Sequence, residues 1–335
     1  MSAVLGATTR ANLKPTIPIW IVTILAVVVA FAVSTPFRTG TNASSLLLGM
    51  APLLLVAAGQ GIVILTGGID LSVGSVVSLA TVITASSLGD GSGTLNVALV
   101  VVAGVVIGTA NGVGVAAGIN PLVMTLATMG IVKGGALLIM DSPGGTVPAS
   151  LLEGLTWSFG SVPLTFLISL GVVVVAWLLT SETRFGHTLY AVGHSGIGAR
   201  RAALRTNRTL IVAYALSGLL ASLGGLVLVG RVFSGDPLIG DAFSLDSITA
   251  VLLGGIAVVG GRGALLGIIP GVLLLALVDN LLNLAGVFSY YQYITKGMIL
   301  IVALALYNAA GGELKIGGVR LLPGRGSKPD AGAPA

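Results

Sequence analysis

Gly193-His194-Ser195-Gly196 has the Gly-x-Ser-Gly form that a serine nucleophile takes in intramembrane proteases. Such a serine needs a base within hydrogen-bond reach. The only histidines, His187 and His194, lie in one arginine-rich segment, whereas cleavage inside a bilayer needs the pair on facing helices at depth. We therefore read the motif as a polar turn and assign no catalytic residue. The chain has no cysteine, which removes thiol chemistry and cysteine-ligated metals. Two histidines and few acids leave little for a metal site, so neither a metal nor a cofactor is expected in this chain. No Gly-x4-Gly-Lys-Ser/Thr loop occurs, and any ATP-driven function therefore requires a separate subunit.

What remains is a sparse set of polar residues inside apolar runs, where they are costly and often functional. The candidate solute path is Gln60, Asp70, Ser72, Ser75, Asn120, Asp246 and Asn280. Asp70 follows a Thr-Gly-Gly turn and precedes Leu-Ser-Val-Gly-Ser, which sets Ser72 and Ser75 one turn apart on one helix face. It has two readings: a cap or hinge for the next helix, or a wall of an aqueous route. Asp279 and Lys296 are placed to pair between the last two apolar segments. Few acids lie deep, so a proton- or sodium-coupled relay has little support.

These residues sit in a chain of 335 residues that is 55% hydrophobic and 8% charged, against about a quarter charged in soluble domains. Lipid is the main solvent. At ~20 apolar residues per crossing, ten spans fit: 17–35, 45–65, 73–88, 95–116, 122–140, 162–180, 209–230, 246–260, 265–284 and 291–308. The third and eighth are short and open to being tilted, broken or re-entrant. With the N-terminus inside, twelve of the sixteen basic residues face the cytoplasm and only Arg38 and Arg231 lie outside. That asymmetry favours ten spans with both ends cytoplasmic, and it makes the net charge of +5 a matter of topology rather than of nucleic-acid binding.

The expected fold class is thus an all-α polytopic membrane protein. Residues 1–16 form a cytoplasmic segment, 17–308 a single transmembrane domain and 309–335 a mobile cytoplasmic tail. The N-terminal apolar run is too long for a cleaved signal and is kept as a span. Residues 141–161 are an outer loop whose Leu151, Leu152, Leu155, Trp157 and Phe159 suit the headgroup level. Gly104, Gly108 and Gly112, and likewise Gly267 and Gly271, recur every fourth residue, a spacing that lets helix backbones approach. The echo of Gly67-Gly68-Ile69 in Gly254-Gly255-Ile256 is read as chance. The segment 181–208 holds five arginines, a helical pattern from about Ile197 to Leu204, and more length than a connection needs. A docking helix for a cytoplasmic partner is expected there.

Three stretches carry a resemblance: Gly59–Ala80 (GQGIVILTGGIDLSVGSVVSLA), Asn120–Leu138 (NPLVMTLATMGIVKGGALL) and Phe243–Gly297. Together with Arg184–Gly230 they resemble the permease subunits of ABC importers for ribose, xylose, galactose and related solutes, over most of 45–307. The resemblance implies a bacterial inner-membrane, multi-pass subunit paired with a second permease copy, identical or paralogous. It also implies two cytoplasmic ABC ATPases that bind ATP and magnesium, and an external solute-binding protein. It places the coupling helix between Tyr190 and Arg208, with Gly193, Ser195, Ala199, Arg200, Arg201 and Arg205 as the ATPase-coupling residues. Gly193 and Ala199 fit the family pattern, while Ser195 stands for its Asn and Ala203 for its Gly. Asp246 and Gln292 are family-like positions, and Asp279 stands where the family often has Asn. The expected function is the membrane path of an ATP-driven importer of a sugar or similar small polar solute, not an enzyme in itself. A secondary transporter or facilitator is the alternative.

Overall fold

All ten apolar segments form helices in a computed structural model that describes residues 16–86, 88, 92–309, 314–316 and 319–322. In chain order the elements begin with α1 (Ile17–Val33), a 3-10 turn (Pro36–Arg38), α2 (Gly40–Leu65), α3 (Val73–Ala85), α4 (Gly93–Ala116) and α5 (Pro121–Ile139). Then come α6 (Ala149–Thr156), the short hairpin β1 (Ser158–Phe159) and β2 (Val162–Pro163), α7 (Leu164–Glu182), α8 (Arg184–His194) and α9 (Gly196–Arg201). The series ends with α10 (Thr206–Val232), α11 (Asp241–Leu253), a 3-10 turn (Leu265–Gly267), α12 (Ile268–Leu284), α13 (Ser289–Ala309) and the paired strands β3 (Leu314–Ile316) and β4 (Val319–Leu322). Segment 1–15, and most of the expected mobile tail 309–335, lie outside the described residues.

Among the described residues, six helices are long and apolar enough to cross a membrane: α2, α4, α5, α7, α10 and α12 with its leading turn. The protein is an all-α polytopic membrane protein. α2 is its centre: every residue from Met50 to Thr66 is buried, enclosed by α7, α10, α11 and α12. A helix apolar all round has no polar face to give to water and is buried from every side. α1, α5 and α7 instead expose large side chains such as Val28, Ile131 and Val175, as lipid-facing helices do. The fourfold glycine stripes act at helix contacts. A Cβ on Gly104 or Gly108 would meet the Gly218 or Tyr214 carbonyl of α10, and one on Gly267 or Gly271 would meet the Gly254 or Ala250 carbonyl of α11.

The bundle has a basic end and an opposite end. The basic end carries α8, α9, the C-terminus of α2, residues 254–264 and Thr16, whose methyl faces Gly267. The opposite end carries Thr39, Arg38, α6, the β1–β2 hairpin and residues 233–240. Of the apolar residues in 141–161, Leu151 and Leu152 pack inward, while Trp157 and Phe159 are exposed and meet edge to face at 4.1 Å.

The two short segments resolve as helices about two thirds of the length needed to cross. α3 and α11 have 13 residues each, about 20 Å at 1.5 Å per residue, against a hydrocarbon core of ~30 Å. α11 begins at Asp241 and ends at Leu253, five residues before and seven before the bounds expected from hydropathy. The glycine echo is not a structural repeat in register: the left-handed residue is the first glycine of Gly67-Gly68 but the second of Gly254-Gly255. Gly67 (φ +84°) and Gly255 (φ +83°) each close a helix in the left-handed conformation. Gly67 N donates to Ile64 O and Gly68 N to Val63 O; Gly255 N donates to Leu252 O and Ile256 N to Val251 O. The same C-terminal cap recurs at Gly118 and Gly286, and glycine takes that backbone without strain. The helical pattern expected from about Ile197 to Leu204 is α9, which ends at Arg201 and is preceded, across Ser195, by the separate helix α8.

Candidate functional site

Unwound backbone inside a membrane must find partners within the protein, and that requirement explains most polar residues of α3. Residues 66–72 interrupt the path from α2 into α3. There Leu71 N donates to Thr125 Oγ1 (3.1 Å), Thr125 Oγ1 reaches Ile69 O, and Ser244 Oγ donates to Leu71 O (2.9 Å). Residues 233–240 form the matching interruption before α11. Asp236 N donates to Thr81 Oγ1, Thr81 Oγ1 donates back to Asp236 O, and Gly240 N donates to Ser78 Oγ at 2.8 Å. Ser72, Ser75, Ser78, Thr81 and Thr84 recur at every third position and are all buried. Ser72 and Ser75 were singled out in the sequence; Ser78 and Thr81 continue their spacing.

Asp70 lies at the first interruption, 1% exposed. Its Oδ1 accepts from Ser72 N (3.0 Å) and Ser72 Oγ (2.6 Å), and its Oδ2 accepts from Ser217 Oγ of α10 (2.9 Å). Asn111 Nδ2 donates to Ser72 Oγ, and Thr128 Oγ1 donates to Asn111 Oδ1. This chain of bonds ties α3, α4, α5 and α10 together. Gln60 and the Tyr214 hydroxyl are also fully buried and have no hydrogen-bond partner among the described residues. Ser75 donates to Ser72 O. Ser217 and Tyr214 were not foreseen; their only signal was the run of small residues around Gly218 on α10.

Asp246 and Asn280 are elsewhere, on the wall of a cavity of about 520 Å³ toward the opposite end, between α2, α10, α11, α12 and α13. Lys296 Nζ bridges Asp246 Oδ2 (2.7 Å) and Asp279 Oδ2 (2.9 Å), so the expected pair is a triad joining α11, α12 and α13. Asn280 and Asn42 exchange amide hydrogen bonds at 2.7 and 3.1 Å, and Gln292 Nε2 donates to Asn283 Oδ1. Arg231 also lines the cavity, making its wall two carboxylates, two cations and several amides. Such a lining is polar without a strong net sign. Neither Gln60, Asp70, Ser72 nor Ser75 reaches it. Asn120 is exposed near the other end of α5, where its Oδ1 accepts from Leu122 N and caps the helix.

At the basic end, Ser195 Oγ accepts from Gly198 N (3.0 Å) and caps α9. A capping turn, not a nucleophile, is what Gly193–Gly196 builds. Ala199 is buried beneath α9, while Arg200, Arg201 and Arg205 are exposed. Gly193 abuts the carbonyl of Leu65 and the backbone of Gly260 and Gly261; any Cβ there would collide with them. Gly261 N donates to Leu65 O (2.9 Å), and Tyr190 donates to Gly263 O (2.8 Å). Burial pushes the Tyr190 hydroxyl up to about 12, so it stays protonated as that donor. α8 is therefore seated on the ends of both capped helices, α2 and α11. No group of three or more His, Cys, Asp or Glu residues able to hold a metal occurs among the described residues.

Residues 42–304 match the family described as branched-chain amino acid transport system, permease component. The chain belongs to this permease family. Among its relatives, the ribose import permease protein RbsC of Escherichia coli (strain K12) is 34% identical over 85% of this chain and 91% of its own length. RbsC of Bacillus subtilis (strain 168) is also 34% identical, over 84% and 89%. The galactose/methyl galactoside import permease protein MglC of Escherichia coli (strain K12) is 31% identical over 86% and 92%. No solved structure matches the chain. With these bacterial relatives and helices built to cross a bilayer, this permease is a multi-pass protein of the bacterial inner membrane.

Proposed function

We propose that the chain is the membrane-spanning subunit of an ATP-driven, binding-protein-dependent importer of a sugar or a similar small polar solute. The observation that carries this reading is the near full-length similarity to permeases named for ribose and for galactose import. The polar cavity around Asp246, Asn280 and Lys296 supports it, since small-molecule sites of ~300–1,000 Å³ bind through a few placed polar groups. In this reading ten segments cross the membrane as one domain, 17–308, α3 and α11 completed by the unwound stretches beside them, with both termini and the basic end cytoplasmic. Two permease copies, identical or paralogous, pair with two ABC ATPases that hold the ATP and magnesium, and an external binding protein delivers solute. The permease itself catalyses nothing. ATP binding and hydrolysis switch it between outward- and inward-open states. Motion enters at Gly193, Ser195, Ala199, Arg200, Arg201 and Arg205, and the seating of α8 on Leu65 and Gly260–Gly261 gives that motion a route to α2 and α11.

Proteoliposomes containing the permease, its ATPase and its binding protein should take up ribose or galactose only with ATP inside. Leucine, run in parallel, tests the family's amino-acid members as the better guide. The permease alone should neither hydrolyse ATP nor concentrate solute. Gradient-driven uptake by the isolated chain would reject the proposal in favour of a secondary transporter. Reversing charge at Arg200 and Arg201 should abolish coupled uptake while leaving membrane insertion intact.

A further inference from the structure

A second cavity, of about 750 Å³, opens at the basic end between α7, α8 and α10. Its rim is cationic: Arg184, Arg205 and Arg208 all line it, and none forms an ion pair or side-chain hydrogen bond among the described residues. The segment 181–208 has five arginines and one acid, Glu182, so nothing local neutralises them. Deeper in, the wall turns apolar. Arg208, Val212 and Leu216 stand at successive i, i+4 positions of α10 and share one face. Leu216 is about 12 Å further along the helix than Arg208 at 1.5 Å per residue. On the facing side Leu179 precedes Arg184 by little more than one turn and lines the same space.

The groove is thus graded from guanidinium groups at the membrane boundary to hydrocarbon at membrane depth. We propose that it binds an anionic phospholipid, with the phosphodiester on Arg184, Arg205 and Arg208 and an acyl chain along Val212 and Leu216. Guanidinium forks suit phosphate oxygens, and basic pockets between helices at the membrane boundary suit anionic headgroups. The depth selects lipid over a soluble protein. A partner docking on the exposed arginines of α9 would have no segment to fill apolar space reaching Leu216 inside a membrane helix. This site is distinct from the coupling residues at Arg200 and Arg201, although Arg205 touches both.

Native mass spectrometry on the delipidated full-length chain, titrated with phosphatidylglycerol, phosphatidylcholine or glycerol 3-phosphate, tests the assignment. Phosphatidylglycerol should bind at least about tenfold more tightly than phosphatidylcholine, and glycerol 3-phosphate should not compete. The double variant Arg184→Gln, Arg208→Gln should erase that preference, at about 1 kcal/mol per arginine, roughly a thirtyfold loss for the pair. Leu216→Trp, which fills the groove and keeps every charge, should weaken phosphatidylglycerol binding separately. Equal binding of the two lipids, full competition by glycerol 3-phosphate, or unchanged binding in both variants would overturn it. Loss of ATPase assembly in the double variant with phosphatidylglycerol binding intact would assign the rim to the protein partner instead, and overturn it too.

Discussion

Asp70 and the Asp246–Asp279 pair are carboxylates within one helix bundle, yet they are held in opposite ways. Asp70 has no cation beside it. Its oxygens accept from the Ser72 N–H and from two hydroxyls, and it is sealed between helices. Asp246 and Asp279 share Lys296, and the three line an open cavity. Neutral donors fixed on Ser72 and on Ser217 of α10 favour one geometry and resist change. An ion triad spread over α11, α12 and α13 at a cavity wall is rearranged by moving one helix. The contrast separates a frame from a passage: the break at 66–72 is bolted in place, and the cavity lies among the elements left freer to shift.

The sharpest way to break that contrast is Asp70→Leu. It strands the Ser72 N–H and the Ser72 and Ser217 hydroxyls in a buried site, where each unsatisfied group costs about 1–3 kcal/mol. The melting temperature in detergent and the amount in membranes should fall steeply, with Asp70→Asn milder because one acceptor oxygen remains. A variant that inserts and melts like the parent but transports nothing would move Asp70 from frame to passage.

Next in size is Lys296→Met, which leaves two carboxylates facing each other without a cation; removing one partner of a buried ion pair costs about 3–5 kcal/mol, less here because the side chains are part-exposed. Uptake should drop at least about tenfold while substantial folded protein survives. Adding Asp246→Asn and Asp279→Asn should restore insertion and part of the uptake. Failure of that rescue would mean that the lysine serves more than charge balance.

Much of this frame was legible before the fold. Glycines every fourth residue announced that α4 and the start of α12 approach other helices closely, because backbone approach depends on local spacing, but not that the partners are α10 and α11. The Lys296–Asp279 pairing was legible too, since two opposite charges in adjacent apolar runs have few other partners. The start of α11 was not. Asp241 read as loop by hydropathy, which prices the acid as unpaired, whereas Lys133 neutralises it in space. Ser217 escaped notice for a related reason. A serine on a helix of small residues gains meaning only when α3 brings Asp70 to 2.9 Å from it. Long-range partners are what local pattern lacks.

Thr81→Val tests the second interruption at smaller scale. It removes the hydroxyl that satisfies both N–H and C=O of Asp236 while keeping volume nearly constant. Thermal stability should fall by about 1–2 kcal/mol, and residues 233–240 should gain hydrogen exchange. Unchanged exchange there would show that α11 is held instead by the bond from Gly74 N to its Ser244 Oγ.

The finest test pairs Ser217→Ala with Asn280→Ala. Each deletes side-chain bonding between two helices: Ser217 to Asp70 across α10 and the break before α3, and Asn280 to Asn42 across α12 and α2. Each should cost a similar ~1 kcal/mol, so stability alone will not tell them apart. Transport should. Asn280 stands on the cavity wall and Ser217 does not. Asn280→Ala should therefore shift the ratio of ribose to galactose uptake, while Ser217→Ala scales both equally through the amount of folded protein. An equal scaling by both variants would leave the cavity no selective role and would place solute discrimination outside this chain, with the binding protein that feeds it.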